Sequence, residues 1–417
     1  MNFKFVHAAD LHLDTPCQAL SKSPELQKAI HDATFRAFEN VVDLCLKEQV
    51  SFLALAGDLF DARDRSIPAR LRLHDGLTRL HQAGILTFIV HGNHDPLSGE
   101  TGSLHPLASV KVFGSEWEEH LVKSPQGHIL CRVQGVSYPQ ERVTENLSAR
   151  FARQGPEFTL ALLHANVANS SKHANYAPCS LEDLASKGLD YWALGHVHTR
   201  TEYLLASGLA VYPGNTQGRH VNEQGERGCM LVRVTEGRAE PRFVPTQVLK
   251  WEQIEVDLTS IDNWDAVISK IEKDVFPASA ADHQPRAIRV RLVGRTPLSR
   301  ELDSIVDRAE WEERLRATWL KRSPPAYLEC MQNDTRADLD FEALQRSGGV
   351  VSSILNASET SQADEIKRRS LWEAAELHKL DIQLSRLGVA PLWPQADLLI
   401  QRAASRVVDS LVAPDNR

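Results

Sequence analysis

Phe52-Leu-Ala-Leu-Ala-Gly-Asp-Leu-Phe-Asp61 is the stretch from which the chain is best read. Its apolar run, Phe52–Ala56, is too short for a helix and stops at a glycine. Two carboxylates, Asp58 and Asp61, follow at once. A run of this length closed by a polar turn predicts a buried strand delivering acids at its carboxyl end. The same grammar recurs along the chain. Phe3–Ala8 leads to Asp10 and His12, and Leu86–Val90 leads to His91, Gly92, Asn93, His94 and Asp95. Phe158–Leu163 leads to His164, and Tyr191–Leu194 leads to Gly195, His196 and His198. Between the first strands, Ala29–Glu48 and Leu71–Ala83 have helical spacing, the latter with Gly84 as a C-cap. Alternation of this kind predicts an α/β core. In open α/β sheets ligands bind at the carboxyl ends of strands, so five strands bring their polar residues to one rim. Later strands, at Lys111–Phe113, His128–Val136, Leu209–Tyr212 and Gly228–Val234, lie closer together and predict a second, more antiparallel sheet packed on the first.

Composition narrows the class. The chain has 417 residues, 42% hydrophobic and 24% charged, with a formal net charge of −8. It is large enough for two or three domains and has neither a disordered nor a fibrous composition. The acidic balance excludes a generally basic nucleic-acid coat and leaves room for a local basic groove. No run reaches the ~18 apolar residues of a membrane span, and MNFKFVHAADLHLD reads as a first strand rather than a secretory leader. Six scattered cysteines, without a CxxC pair, predict neither a disulfide frame nor a zinc ribbon and point to the cytoplasm. Cys17, Cys45 and Cys229 read as small buried hydrophobes.

The residue types then indicate the chemistry. Carboxylate, imidazole and amide donors suit divalent ions of intermediate hardness, such as Mn, Fe or Zn, and are too many for one ion. Two ions about 3.5–4 Å apart need a bridging carboxylate. Asp58 fits that role, because Gly57 beside it lets backbone approach closely. No G-x-S-x-G elbow is present, so a serine nucleophile is not expected.

The ordered set D-x-H, GDxxD, GNHD, a lone strand-end His and GHxH resembles the calcineurin-like metallophosphoesterases. The longer strings HAADLHLD, LAGDLFD, VHGNHD, LLHANV, ALGHVH, NYAPCSLEDL and YPGNTQGRH resemble the SbcD-type DNA repair nucleases within that family, and among them the YhaO-type bacterial exonucleases. The specific likeness covers residues 1–235. It implies a two-sheet sandwich flanked by helices, followed by a small α/β capping domain and a helical C-terminal tail. It implies a first ion on Asp10, His12, Asp58 and His198, and a second on Asp58, Asn93, His164 and His196. The ions would be Mn, with Fe, Zn or Mg as alternatives. His94 would contact phosphate or protonate the leaving oxygen, with Asp95 holding its tautomer. The implied activity is hydrolysis of DNA, as an exonuclease or endonuclease subunit in repair. A phosphodiesterase or phosphatase for small nucleotides or phosphoproteins, and a non-catalytic scaffold, are the alternatives.

Three regions are expected: 1–240 as the phosphoesterase domain, 246–335 as a capping domain that binds DNA, and 336–417 as a helical region for a partner. Arg238–Pro245 reads as the linker between the first two. Arg219 and His220, in PGNTQGRH, and Arg289 and Arg291, on one face of a capping strand, are candidate phosphate contacts. His7, His91, Asp14 and Asp61 are candidates for orienting the metal ligands. A helix at Ala363–Leu387 carries Lys367, Arg368 and Arg369 beside Leu377, Leu380, Leu384 and Leu387. By resemblance it would dock an SMC-like coiled-coil ATPase, since this chain has no G-x-x-x-x-G-K-[ST] loop of its own. Ile67–His81 could serve a homodimer contact.

Overall fold

The computed structural model describes residues 2–13, 15, 23–61, 66–99, 107–124, 126–167, 176–277, 284–386 and 392–412. Asp14 and Cys17 lie outside the described residues. The chain divides into two compact units: Met1–Gln253 with Asp282–Arg289 and Leu315–Cys330, and Ile254–Ala281 with Val290–Arg314 and Met331–Arg417.

In chain order the elements begin with β1 (Asn2–Ala8), α1 (Pro24–Glu48), β2 (Phe52–Ala56), α2 (Ile67–Gln82), β3 (Leu86–Val90), β4 (Val110–Val112), β5 (Glu118–Lys123) and β6 (Ile129–Val136). They continue with β7 (Phe158–His164), α3 (Leu181–Ala185), β8 (Tyr191–Gly195), β9 (Thr201–Leu204), β10 (Leu209–Tyr212), β11 (Gly228–Thr235) and β12 (Arg238–Pro245). These strands form two six-stranded sheets, of order β12-β11-β1-β2-β3-β4 and β5-β6-β7-β8-β10-β9. The first is parallel from β1 to β4, the second from β6 through β7 and β8 to β10. Each has two antiparallel pairings, β12-β11 and β11-β1 in the first, β5-β6 and β10-β9 in the second. The second sheet is therefore no more antiparallel than the first, contrary to the expectation from strand spacing. Short loops between β8, β9 and β10 make the spacing close, while the β6–β7 and β7–β8 connections still cross over in parallel. β12 also corrects the expected linker: Arg238–Pro245 pairs with β11 along its whole length as an edge strand, where its two prolines are tolerated.

Period-2 alternation sorts the side chains of β1. Val6 and Ala8 face a core shared with α1 and α2, which also holds Phe38, Val41, Leu77 and Leu80. Phe3 and Phe5 face the second sheet, in a core with Phe52, Phe88, Leu160 and Tyr191. Phe5 stacks on Phe52 at 4.9 Å and meets Tyr191 edge-on at 5.3 Å. Burial on both faces explains why β2 and β8 read as unbroken apolar runs, and β7 as one broken only by buried Thr159 before His164. The outer face of the second sheet packs Trp192, Leu194 and Tyr212 against Leu184 of α3. Ser23 caps α1 by accepting from Leu26, which sets its start earlier than the apolar spacing indicated.

Beyond β12 come β13 (Lys250–Asp257), α4 (Trp264–Val275), β14 (Arg286–Val293), α5 (Ser299–Asp303), α6 (Ile305–Trp319) and β15 (Ala326–Asn333). The three strands form one sheet, β13-β14-β15, and the division into units falls within them. Helices α7 (Phe341–Arg346), α8 (Gly349–Ala363), α9 (Glu365–Ala374), α10 (Leu377–Arg386) and α11 (Ala396–Val412) follow. The expected helix over 363–387 is two helices. Asp364 caps α9, and Glu376, at φ 57°, turns the chain out of helix before α10. Leu387 lies outside the described residues.

Candidate metal centre

The loops leaving β1 and β2 run side by side. The amides of Asp10, His12 and Leu13 donate to the carbonyls of Gly57, Asp58 and Leu59 at 3.1, 3.1 and 3.0 Å. This pairing sets Asp10, His12 and Asp58 at one place. Holding them there costs backbone strain. Asp10, His12, Asp58 and His196 have φ of 53°, 45°, 51° and 103°, values that non-glycine residues rarely adopt. Each costs about 1–3 kcal/mol and persists only where the surroundings enforce it.

Two glycines leave room for His164. A Cβ on Gly195 would lie 1.8 Å from the Ala56 carbonyl oxygen, and one on Gly92 would lie 2.3 Å from Asp58 Oδ1. The glycines of the GNHD and GHxH motifs are thus fixed by close approach of the loops to one another.

The seven expected ligands converge. Donor atoms of Asp10, His12 and His198 lie within 4.8 Å of one another, as do those of Asp10, Asp58 and His164. Asn93 Oδ1 lies 3.1 Å from His164 Nε2 and 3.2 Å from His196 Nδ1. Asp58 Oδ2 lies 3.4 Å from His164 Nε2 and 4.0 Å from His12 Nε2, so one carboxylate faces both halves of the cluster. Its Oδ1 accepts from the His94 amide at 2.9 Å. Asp10 accepts from the His196 amide at 3.1 and 3.2 Å.

The proton positions test whether cations fit. His12 Nδ1 lies 2.8 Å from Asp61 Oδ1, and His198 Nδ1 lies 2.7 Å from Glu223 Oε1. A carboxylate only accepts, so His198 Nδ1, hydrogen-bonded to Glu223, carries the ring proton, while the His12 contact is close but lacks hydrogen-bond alignment. His198 then turns its Nε2 lone pair toward His12 Nε2, 3.3 Å away. His164 Nδ1 donates to the Ala56 carbonyl at 2.9 Å, which turns its Nε2 toward Asn93 and Asp58. So many nitrogen and carboxylate-oxygen donor atoms turned on one place repel unless a proton or a metal cation lies among them. The donor set, imidazole with carboxylate and amide, suits a divalent transition ion.

Titration shifts agree. Burial pushes His164 down, but Asp58 and Asp10 hold it up at about 9, which marks a place that demands positive charge. Burial would raise Asp58, and His164 with His12 holds it well below the carboxylate range instead. Burial raises Asp10. His12 falls to about 4, from burial and then from Arg219. Burial alone would raise Asp61 and Glu223; His12 and Arg219 hold the first well below its ordinary value, His198 and Arg219 the second.

Around the ligands the structure reassigns several residues. His94 lies at the solvent side, its side chain 44% exposed. Its Nδ1 is 3.2 Å from the Asp61 carbonyl oxygen and 3.4 Å from Asp61 Oδ1. Asp61, rather than Asp95, therefore orients that ring. Asp95 joins two loops: its oxygens accept from the amides of Leu59 and Gly92 at 2.9 and 2.8 Å, with His91 Nδ1 at 3.3 Å. A carboxylate committed to two buried amides is a structural tie. His7 points between the sheets, 3.2 Å from both Tyr191 Oη and the Leu194 carbonyl.

The expected phosphate contacts are likewise engaged. Arg219 is buried, with Nη1 3.1 Å from Asp61 and Nη2 3.5 Å from Glu223, so it faces carboxylates instead of the cleft. His220 is partly exposed, with Nε2 3.5 Å from Glu223. Arg289 makes a two-pronged pair with Glu329 at 2.6 and 2.7 Å. Arg291 pairs with Asp334, and with Glu255 at 2.7 Å. Guanidinium groups neutralised in this way offer little to a DNA backbone.

Glu223 is the site residue that sequence reading missed. It belongs to no strand-end motif and lies 25 residues beyond His198. The available signal was a run of polar residues after β10, from Asn215 to Glu223, of which Asn215, Thr216, Gln217, Arg219 and Glu223 are buried. Arg227 belongs with them, donating to the His198 carbonyl and, at 3.1 Å, to Asn215 Oδ1. The thiols of Cys45, Cys131, Cys179 and Cys229 are buried, and burial pushes them up, those of Cys179 and Cys229 to about 12, which suits packing rather than nucleophilic roles.

Comparison with known proteins places this geometry. Residues 3–200 match the calcineurin-like phosphoesterase family, and residues 251–336 match the middle domain of metallophosphoesterase YhaO. The chain is 36% identical over 295 residues to the uncharacterized metallophosphoesterase YhaO of Bacillus subtilis, covering 70% of this chain and 72% of that one. It is 28% identical over 181 residues to the DNA double-strand break repair protein Mre11 of Sulfurisphaera tokodaii, covering 42% of this chain and 46% of that one. A crystal structure of a dimetal phosphatase from Danio rerio aligns with a TM-score of 0.37 at 14% identity, over 56% of this chain and 93% of that one.

Proposed function

The chain belongs to the calcineurin-like metallophosphoesterases, and from that premise we propose that it is a two-metal phosphodiesterase acting on DNA, a nuclease subunit of repair. It is a metal-dependent phosphoesterase, and its family uses a dinuclear metal centre. The observation that carries the metal chemistry is the convergence of the His12, His198 and His164 ring nitrogens with Asp10 and Asp58. The DNA reading is supported by the likeness to a relative named for DNA double-strand break repair.

In this reading Asp10, His12, Asp58 and His198 hold one ion, and Asp58, Asn93, His164 and His196 the other; manganese fits the donors well, with iron, zinc and magnesium as alternatives. Two such ions supply an ionised water near neutral pH and neutralise charge on the phosphate. The protein residues do the rest. Asp10 and Asp58 are fixed by the His196 and His94 amides, so the donors do not reorganise during turnover. His94, held at Nδ1 by Asp61 and open to solvent, presents its other edge to an incoming phosphodiester and can give a proton to the leaving oxygen. No helix among the described residues is long and apolar enough to cross a membrane. The proposal places the enzyme in the cytoplasm, as a homodimer, with a coiled-coil SMC-like ATPase as partner on the C-terminal helices. Within that proposal, 1–240 is the phosphoesterase domain, 246–335 the capping domain and 336–417 the partner-docking region.

One observation favours a second reading. Arg219, Arg289 and Arg291 are all paired with carboxylates, which leaves a phosphodiesterase for small nucleotides in contention. The deciding experiment incubates the manganese-loaded protein with linear duplex DNA, bis(p-nitrophenyl) phosphate and p-nitrophenyl phosphate. The proposal expects shortened DNA and diester hydrolysis, with the monoester slower. Intact DNA beside rapid turnover of small diesters would replace it with the second reading.

A further inference from the structure

We propose that Asp61, Arg219 and Glu223 form a charged clamp that fixes the tautomer of His198, holds the His12 ring in place and so preforms the socket for one of the two ions. The inference rests on the ligand assignment above and adds positioning residues to it. Arg219 is the centre of the clamp. Its Nη1 lies 3.1 Å from Asp61 Oδ1 and 3.3 Å from Thr15 Oγ1, and its Nη2 lies 3.5 Å from Glu223 Oε1. Its own backbone amide donates to Glu223 Oε2 at 2.8 Å. One guanidinium therefore bridges two carboxylates that would otherwise repel.

Each carboxylate takes one imidazole. Asp61 reaches His12 Nδ1 at 2.8 Å and Glu223 reaches His198 Nδ1 at 2.7 Å. Arg219 Nη2 also approaches His198 Nδ1, at 3.4 Å, but the shorter carboxylate contact decides where the proton sits. Both rings are thereby held with Nε2 aimed inward, 3.3 Å apart. The arrangement is nearly symmetric about Arg219, although its parts come from four separate loops, following β1, β2, β8 and β10.

Glu223 is further supported where it stands. Asn215 Nδ2 donates to its Oε2 at 2.9 Å, and Asn215 is held by Arg227 at 3.1 Å. The loop is then backed from behind. Gln217 Nε2 donates to the Leu249 carbonyl at 2.6 Å, and Trp251 Nε1 donates to the Gly218 carbonyl at 3.0 Å. A carboxylate with this much buried support is a rigid acceptor. Carboxylate partners of metal-binding imidazoles raise ligand basicity and fix ring orientation, and their loss costs about 10- to 100-fold in metal affinity.

The clamp predicts selectivity between the two ions. The His164 tautomer is set by the Ala56 carbonyl instead, so the clamp does not reach that half of the centre. The test is calorimetric titration of the metal-free protein with Mn²⁺, on the wild type, Glu223→Gln, Glu223→Asp, Asp61→Asn, Arg219→Lys and the Asp61→Asn, Glu223→Gln double variant. Thermal unfolding of each metal-free protein is measured in parallel. We expect two ions in the wild type. In Glu223→Gln one of them weakens about 10- to 100-fold while the other is unchanged. Glu223→Asp should recover part of the loss. Arg219→Lys, which keeps one charge but cannot bridge, should weaken the same ion. The double variant should lose less than the product of its two single losses, because both carboxylates act through one arginine. A wild type that binds two ions with Glu223→Gln indistinguishable from it overturns the clamp and spares the ligand assignment. Equal weakening of both ions also overturns it, in favour of a general folding role. Should Glu223→Gln fail to fold, Arg219→Lys carries the same comparison. A wild type that binds fewer than two ions removes the ligand assignment itself, and the clamp with it.

Discussion

One oxygen of Asp61 lies close to three neighbours: His12 at 2.8 Å, Arg219 at 3.1 Å and His94 at 3.4 Å. The consequence is that His94 can be removed without disturbing the ligands, because Asp61 keeps its other two partners. His94→Gln should therefore retain its metal content by elemental analysis. On a diester with a poor leaving group its turnover should fall by ~10²–10⁴. A nitrophenyl diester, which needs less proton donation, should suffer less. Equal losses on both substrates would take the general-acid role from His94 and leave it only phosphate positioning; a lost ion would make it a ligand.

Between residues and the whole lie the strands and the loops that end them. The five strands and their polar termini were legible because burial on both faces makes a parallel strand an unbroken apolar run, and such a run followed by Asp, Asn or His is conspicuous. Gly57, Gly92 and Gly195 could be seen in the motifs, though only the structure shows His164 wedged among them. Glu223 and the true partner of His94 were not legible, because both depend on which loops meet. Nothing in the spacing of GNHD tells whether His94 turns to Asp95 beside it or to Asp61 on another loop. The linker reading of Arg238–Pro245 failed for a related reason, since an edge strand tolerates the prolines and charges that suggest a loop. His7 supplies a test at this scale. It ties β1 to β8 as a neutral imidazole, and burial pushes it down to about 3. The unfolded chain takes up a proton at this residue near pH 6.5, which the folded chain refuses until about pH 3. Its contribution to stability is thus whole above pH 6.5 and is lost as pH falls toward 3, by roughly 1.4 kcal/mol per pH unit at most. His7→Gln, which cannot take that proton, should show a shallower fall in Tm over this range; parallel curves would contradict the burial argument.

For the molecule as a whole, the unit that carries the site extends beyond its last ligand. It runs to Gln253, and Leu249 and Trp251 pack with Leu26, Ile30 and Ala33 of α1. The same segment supports Gln217 and Gly218, next to Arg219. A chain ended at Thr235 holds every expected ligand but loses β12 and this support. It should melt several degrees below the full chain and bind its ions more weakly, which thermal unfolding and metal titration would show; unchanged melting and binding would mean that β12 and residues 246–251 are dispensable. The central claim is that two ions share Asp58, whose Oδ2 lies 3.4 Å from His164 Nε2 on one side and 4.0 Å from His12 Nε2 on the other. The most direct measurement is the number of ions bound per chain, by elemental analysis of the manganese-loaded protein and of Asp58→Asn, each paired with diester turnover. Two ions in the wild type, with both weakened and nearly all turnover lost in Asp58→Asn, is the expected result. Two ions retained in the variant with near-normal turnover would contradict it.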